Sequence, residues 1–413
     1  MQQIVFEKPY AFIPPHRGTW WPSLIQRFDL YGYYLRKHEG VESHELRNQH
    51  RIRESIDAGH GVMMAPNHCR TSDPLTIGYL AKDVGFHLYA MASWHLFNQG
   101  WFNAWAIRLM GGFSIYREGI DRQAINTAIN ALATAERPLL LFPEGSTTRT
   151  NDQIHALLDG VSFIARTAAK KRAKTCGGKV VVHPIGIKYF FRGDLRKAVD
   201  PVLTEIEHRL TWRPQDHLPL FERIAKVGRA LLALKEIEHF QQIRTGTTRQ
   251  RLEDLINRLL GPLEEEWLSR PETTAVVPRV KALRMKIMPA MVKEKLPAPE
   301  RERRWNQLAD IYLAQQLSCY LPDYLADYPS VDRLLETVER YEEDLTDKVR
   351  VHGKLHVVID VDDAIEVSPE RDRSSSVDPL METLRDRLAA KMAQLSRESP
   401  RYEDEIANPP SEK

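Results

Sequence analysis

The sequence predicts an α/β fold: a mainly parallel central sheet flanked by helices, with a large helical insertion. Three observations predict it. From about residue 44 to 194, short apolar runs alternate with helix-like stretches. From 195 to 348 the chain becomes helical, charged and rich in arginine, with no clear strands. Strand character then returns in VRVHGKLHVVIDVDDAIEV at 349–367. Strands alternating with helices favour a parallel sheet, because each crossover helix must bury its apolar stripe on a sheet face. The simplest organisation is one α/β domain interrupted by a helical insertion. Its parts are an N-terminal amphipathic segment (1–44), the α/β core (45–194), the insertion (195–348), strands and a helix completing the core (349–395), and a disordered tail (396–413).

The elements follow in order. In TWWPSLIQRFDLYGYYLRK, Trp20, Trp21, Leu24, Ile25, Phe28 and Tyr31 recur at helical spacing, a pattern that suits a membrane interface or packing on the next domain. Residues 44–58 read as a polar helix stopped by Gly59 and Gly61, and Val62–Ala65 as a strand. Pro74–Ala81 starts a helix. Val84–Ile107 lacks Asp, Glu, Lys and Arg and holds Trp94, Trp101 and Trp105, rings that suit a membrane–water boundary; its pattern favours a core segment over that reading. Gly112–Tyr116 and Leu139–Phe142 are short strands. Arg122–Ala135 between them is a helix with Ile125, Ala128, Ile129 and Leu132 on one face. A helix over 157–172, a strand over Val180–Ile187 and an amphipathic helix over 380–395 complete the set.

The chain has 413 residues, 42% of them hydrophobic, enough for a sizeable core. A net charge of +2 supplies no global field for nucleic acid, so no nucleic-acid partner is expected. Cys69, Cys176 and Cys319 lie far apart, which argues against a disulfide framework and fits a reducing cytoplasm. MQQIVFEKPY lacks the pattern of a secretory signal, and no run of 18 apolar residues predicts a spanning helix.

Four stretches carry chemistry. In MMAPNHCRTSDPLTIG, a strand delivers Asn67 and His68 into a loop, and Asp73 follows. Asp73-Pro74 suits a helix start, with Asp as N-cap and Pro first in the helix. The same carboxylate can orient His68, and a neutral imidazole so held takes a proton from a hydroxyl. In LLLFPEGSTTRT, the turn after a buried strand places Glu144 and Ser146–Thr148 where ligands sit in open α/β sheets. Backbone N–H groups around Gly145, with Arg149, suit an anion. In GGFSIYREG, Gly111-Gly112 permits close backbone approach, and the planar fork of Arg117 suits a phosphate. VVVHPIGIKYF is a strand whose proline fixes its end near the others.

Together these stretches resemble the glycerolipid acyltransferase family, whose members acylate glycerol-3-phosphate or lysophosphatidate. NHCRTSD at 67–73 fits its NHxxxxD motif. Residues 111–117 resemble its second motif, FPEG at 142–145 its third and VHPIGI at 182–187 its fourth. The resemblance covers about 45–194. It implies His68 as general base and Asp73 as the group that fixes its tautomer. It implies Arg117, Glu144 and Gly145, with Ser146 and Arg149, on the acceptor and its phosphate. It implies direct attack on an acyl thioester (acyl-CoA or an acyl carrier protein), no cofactor and no metal, with Cys69 only a loop residue. The sequence departs from the family in three places. Two extra threonines separate FPEGS from Arg149, Ser114 stands where an aromatic or aliphatic residue is usual, and MASWHLF lacks a frequent lysine. These departures motivate an alternative: another lipid or a soluble alcohol as acceptor. A further alternative is a lipid-binding protein with a relic site.

In RVKALRMKIMPAMVKEK (279–295), six basic residues accompany Val280, Leu283, Ile287, Met288 and Met291 on one helical face, with Pro289 expected to kink or end the helix. A basic amphipathic helix predicts contact with a membrane surface. The expected location is thus the cytoplasm, peripherally on the inner face of the membrane. A solvated helix face and an acyl-carrier-protein dock are the other readings of the same stretch.

Overall fold

The computed structural model describes residues 7–269, 275–321, 323–326, 328–370 and 378–402. Helices α1 (Trp20–Arg27) and α2 (Leu30–Glu39) precede strand β1 (Val41–Arg47). The single helix expected over the aromatic stretch is two. Asp29 adopts a left-handed φ of 49° between them, and its carboxylate pairs with Arg36 and Lys82. Residues 44–58 are likewise not one helix. Residues 41–47 are β1, and only His50–Asp57 (α3) is helical, because β1 finds a distant partner strand.

Next come β2 (Gly61–Pro66), α4 (Asp73–Val84), β3 (Tyr89–Ser93), a 3₁₀ turn (Trp94–Asn98), α5 (Trp101–Leu109), β4 (Gly112–Ile115), α6 (Arg122–Thr134), β5 (Leu139–Leu140), α7 (Gly160–Cys176) and β6 (Val180–Phe191). Every residue of β2 and β6 is buried, as suits strands covered on both faces. The stretch 84–107 is only partly core: Trp94 is buried, but α5 leaves Trp101 81% exposed. Gly111 sits at φ 91°, where a Cβ would lie 2.2 Å from the Leu88 carbonyl oxygen, so only glycine fits that crossing. Ser114 is fully buried. Its hydroxyl accepts from the Ile13 N–H at 2.8 Å and pairs with Tyr10, tying residues 10–13 along the edge of β4.

The insertion supplies α8 (Leu195–Arg209), α9 (Leu220–Phe240), α10 (Thr248–Trp267), α11 (Val276–Lys293), α12 (Ala298–Leu317) and α13 (Val331–Thr346); β7 (Leu355–Val361), β8 (Ile365–Glu366) and α14 (Pro379–Ser396) follow. The strands form one sheet in the order β1-β7-β6-β2-β5-β3-β4, with β8 beside β6. β7 and β8 run antiparallel to β6; the other neighbours are parallel. The insertion divides in two. Val199, Leu203 and Ile206 of α8, Leu220, Ile224 and Val227 of α9, and Leu334 and Val338 of α13 join the main core. α10, α11 and α12 enclose their own core.

That second core corrects the expectation for 279–295. Val280, Leu283, Ile287, Met288 and Met291 are buried against α10 and α12, so the apolar face of α11 is not available to a membrane. Burying such a side chain stabilises by roughly 1.5–3 kcal/mol, which outweighs what one basic residue gains near lipid. Pro289 does not end the helix, which continues to Lys293. Residues 396–402, expected to be disordered, dock instead: Ser399 is buried and donates to Asp332 at 2.6 Å. The rest of that expected tail, 403–413, lies outside the described residues.

Candidate active site

β2 and β5 lie side by side and parallel, so the loops after them leave the same edge of the sheet. Asn67 ends β2 by imitating a strand. Its Oδ1 accepts from the Ile187 N–H at 2.7 Å and its Nδ2 donates to the Ile187 carbonyl at 3.0 Å. The chain then turns, and the His68 ring stacks on Phe142 with centroids 4.1 Å apart.

His68 Nδ1 lies 2.9 Å from Asp73 Oδ2. A carboxylate can only accept, so Nδ1 carries a proton, and in the neutral ring Nε2 is then the nitrogen with the free lone pair. The Asp73 carboxylate has no exposed surface, while His68 keeps 13% of its side chain accessible. Asp73 Oδ2 also accepts from the Arg70 N–H at 2.9 Å, and Oδ1 accepts from the Tyr189 hydroxyl at 2.7 Å. The helix thus begins one residue off expectation. Ser72 is the flanking residue and makes no capping bond, because the Asp73 carboxylate is turned back to His68 and Arg70. Thr147 places its hydroxyl 3.5 Å from Nε2.

Glu144 is a brace. Its Oε1 accepts from the His68 N–H at 2.8 Å and its Oε2 from the His155 N–H at 2.9 Å, and it is 1% exposed. Burial pushes its carboxyl up to about 7, against the pull of those two donors. Gly145 makes the turn at φ 69°, where a Cβ would lie 2.3 Å from Leu158 Cδ1. The Thr148 N–H donates to the His68 carbonyl and the Arg149 N–H to that of Cys69, so the two loops run as a pair. Burial pushes the Cys69 thiol well up, with the Asp73 charge adding to it, which keeps the thiolate scarce.

Helix α13 grips this loop. Arg340 donates to the Thr148 carbonyl at 2.6 Å, Glu336 accepts from the Asn151 N–H at 3.0 Å, and Arg333 pairs with Asp152 at 2.7 Å. Glu343 pairs with Arg149 at 2.8 Å and Glu339 with Arg70 at 2.7 Å. Asn151 holds the backbone of Tyr189 through both its amide atoms, at 2.6 and 2.9 Å. Beneath them Lys188, fully buried, bridges Asp152 at 2.5 Å and Asp332 at 3.0 Å. The insertion therefore builds the site's scaffold.

The structure brings His68, Asp73, Glu144 and Gly145 together. Ser146 is buried in the turn, and Arg149 is engaged by Glu343. Arg117 follows β4 in a separate charged group with Glu118, His95 and Arg284. Sequence reasoning missed Tyr189 and Asn151 altogether. Lys188-Tyr189, a polar pair inside a largely apolar strand, was the available signal. A cavity of about 780 Å³ among α9, α12 and α13 reaches the loop at Arg149 and Thr150, and neither His68 nor Arg117 lines it. Among the described residues no helix is long and apolar enough to cross a membrane, and no three His, Cys, Asp or Glu side chains converge as metal ligands do.

Residues 44–188 match the family model described as Acyltransferase. Over 107 residues the chain is 35% identical to a curated 1-acyl-sn-glycerol-3-phosphate acyltransferase of Streptococcus pneumoniae (strain ATCC BAA-255 / R6). That match covers 26% of this chain and 37% of the relative's length.

Proposed function

Proceeding from the match of residues 44–188 to the Acyltransferase family model and from the resemblance of the chain's motifs to glycerolipid acyltransferases, we propose that this chain moves a fatty acyl group from an acyl thioester to the hydroxyl of lysophosphatidate or a related glycerophosphate. The carrying observation is the His68–Asp73 pair. A buried carboxylate engages Nδ1, and Nε2 lies beside the Thr147 hydroxyl on a ring that keeps 13% of its side chain accessible. His68 takes the acceptor's proton as the oxygen attacks the thioester carbonyl. The C–S bond then breaks, and the departing thiolate receives that proton from the imidazolium. Glu144 serves by holding the His68 backbone, and Arg117 by offering a guanidinium to the acceptor's phosphate. The donor is coenzyme A or an acyl carrier protein.

Membrane contact moves from α11 to the aromatic surface of α1 and α5. Trp20, Trp21, Trp105, Phe102 and Trp101 form an unbroken series of ring contacts, with Trp20 63% and Phe102 58% exposed. Amphipathic rings of this kind favour the lipid–water boundary. Flotation with anionic vesicles tests this: wild-type protein should rise, and a Trp20→Ser/Trp101→Ser double variant should stay down.

The activity is tested by thiol release from an acyl thioester across a panel of acceptors, with products identified by mass spectrometry. Release should require a glycerophosphate or lysolipid and vanish in His68→Ala while the folded state persists. Acceptor-independent release, equal in both proteins, would overturn the reading.

A further inference from the structure

The insertion forms a cavity that acyl transfer at His68 leaves unused. It measures about 780 Å³, within the roughly 300–1,000 Å³ range of small-molecule sites. Its walls are largely apolar: Leu231 and Leu232 from α9, Leu313 and Leu317 from α12, Tyr341 and Leu345 from α13. It meets solvent at Phe221, 37% exposed, and Leu234, 51% exposed, both of which line it. Large apolar side chains left at such a rim suit a ligand that is itself apolar.

Charge narrows the ligand further. Among the described residues, six carboxylates line the cavity: Glu238, Asp310, Glu336, Glu343, Asp344 and Asp347. Facing them are Arg149, Arg229, Lys235 and Arg340. Lys235 is paired with Glu238 and Arg149 with Glu343, each at 2.8 Å, while Arg340 donates to the Cys319 and Thr148 carbonyls. Burial raises the carboxyls of Asp310, Glu336 and Asp344. An anionic ligand would add to this acidic excess, so the lining favours an uncharged one. That sets the cavity apart from any subsite for a phosphate-bearing substrate.

One wall of the cavity touches the reaction loop. Arg149 and Thr150 of that loop line it. So do Glu336, Arg340 and Glu343, the α13 side chains that hold the loop at the Asn151 N–H, the Thr148 carbonyl and Arg149. The Thr148 N–H in turn donates to the His68 carbonyl, and the Thr147 hydroxyl lies 3.5 Å from His68 Nε2. A ligand in the cavity therefore meets the same side chains that fix the loop beside the proposed base.

We propose that this cavity is an effector site for an uncharged single-chain lipid, separate from the reaction centre, and that its occupancy favours the loop arrangement seen beside His68. A ligand that binds the cavity in this shape stabilises the placement of α13 and the loop that creates the shape. The binding site stands without the acyl-transfer reading; the effect on turnover rests on it.

The full chain is titrated calorimetrically with the N-methylamides of decanoic and dodecanoic acid, which are uncharged and carry no hydroxyl to acylate. The longer amide should bind about 15-fold tighter, since each buried methylene is worth about fourfold. Dodecanoate, with a similar chain and a negative charge, should bind about tenfold or more weaker than the dodecanoyl amide. Ala309→Phe fills the cavity from α12, and Leu234→Asp places a charge at its rim; each should weaken amide binding by about tenfold or more. Leu234 is exposed, so its replacement leaves the core intact and the outcome does not hang on the folding of Ala309→Phe. Saturating amide should raise kcat for thiol release with lysophosphatidate by about fivefold, the low end of usual couplings between sites, and only in the wild type. The proposal is overturned by an amide that does not bind, that binds both variants as tightly as wild type, or that gains nothing from the longer chain. Dodecanoate bound as tightly as the amide, or an active wild type whose kcat the amide does not raise, overturns it too. Amide binding that the two variants weaken, in a chain that transfers no acyl group to any acceptor, would instead overturn the activity and leave the site standing.

Discussion

Removing one hydroxyl, by Tyr189→Phe, tests whether the Asp73 carboxylate positions His68. That carboxylate has no exposed surface and accepts from His68 Nδ1, the Arg70 N–H and the Tyr189 hydroxyl, with the Cys69 thiol as a weaker fourth donor. Without Tyr189, Oδ1 keeps only the Cys69 thiol at 3.8 Å, a weak donor. A hydrogen bond to a charged buried group contributes about 1.5–3 kcal/mol, so the variant should lose about that much stability in denaturant titration. If the whole loss appeared in the transition state, kcat would drop about 10- to 150-fold, since 1.36 kcal/mol is a factor of ten. The Arg70 N–H still holds the other oxygen, so the lower end is expected, a fall of about tenfold in kcat. KM should not move, because the Tyr189 hydroxyl is buried and meets no substrate. Stopped-flow thiol release at saturating acceptor reads kcat directly. A variant that loses stability yet keeps kcat within about twofold would refute the positioning chain.

Three further outcomes follow from the same geometry. Glu144 is raised from 4.5 to about 7, so the folded chain keeps a proton that the unfolded chain has lost between those values. Its contribution is complete below about pH 4.5 and is lost as pH rises through about 7, on the order of 3 kcal/mol; Glu144→Gln should flatten that decline in urea midpoints. Lys188→Met strands the Asp152 and Asp332 carboxylates in the core and should cost about 3–5 kcal/mol in chemical denaturation. Arg149→Gln and Glu343→Gln in a double-mutant cycle should show a coupling of about 1 kcal/mol with acceptor KM unchanged, whereas a raised KM in Arg149→Gln alone would make Arg149 a substrate ligand.

What the sequence made legible was local. The runs Val62–Ala65 and, His183 apart, Val180–Ile187 are apolar because they are buried on both faces, and such strands announce themselves. His68 and Asp73 were legible because a strand end and a helix start fix their separation. What stayed hidden depends on partners far along the chain. β1 reads VESHELR, a good surface helix by composition, and becomes a strand only because β7 arrives beside it. The apolar residues of α11 show the same stripe whether lipid or α12 covers them, so the pattern alone could not choose. Arg149 in FPEGSTTRT has the look of an anion ligand, and nothing nearby reveals that Glu343 meets it first. Tyr189 and Asn151 act across loops, and no spacing rule links them.

The position of β7 bears on how the polypeptide is made. Leu46 pairs with Ile359, and Ile187 pairs with the same residue from the other side. A ribosome adding roughly 5–20 residues per second needs on the order of 15–60 s to span the roughly 300 residues between Leu46 and its neighbour. Throughout that interval β1 lacks the strand it pairs with, and from residue 191 onward the side of β6 that meets β7 is likewise unpaired. A chain that stops inside the insertion lacks β7 and so leaves β1 and that edge of β6 without their shared partner.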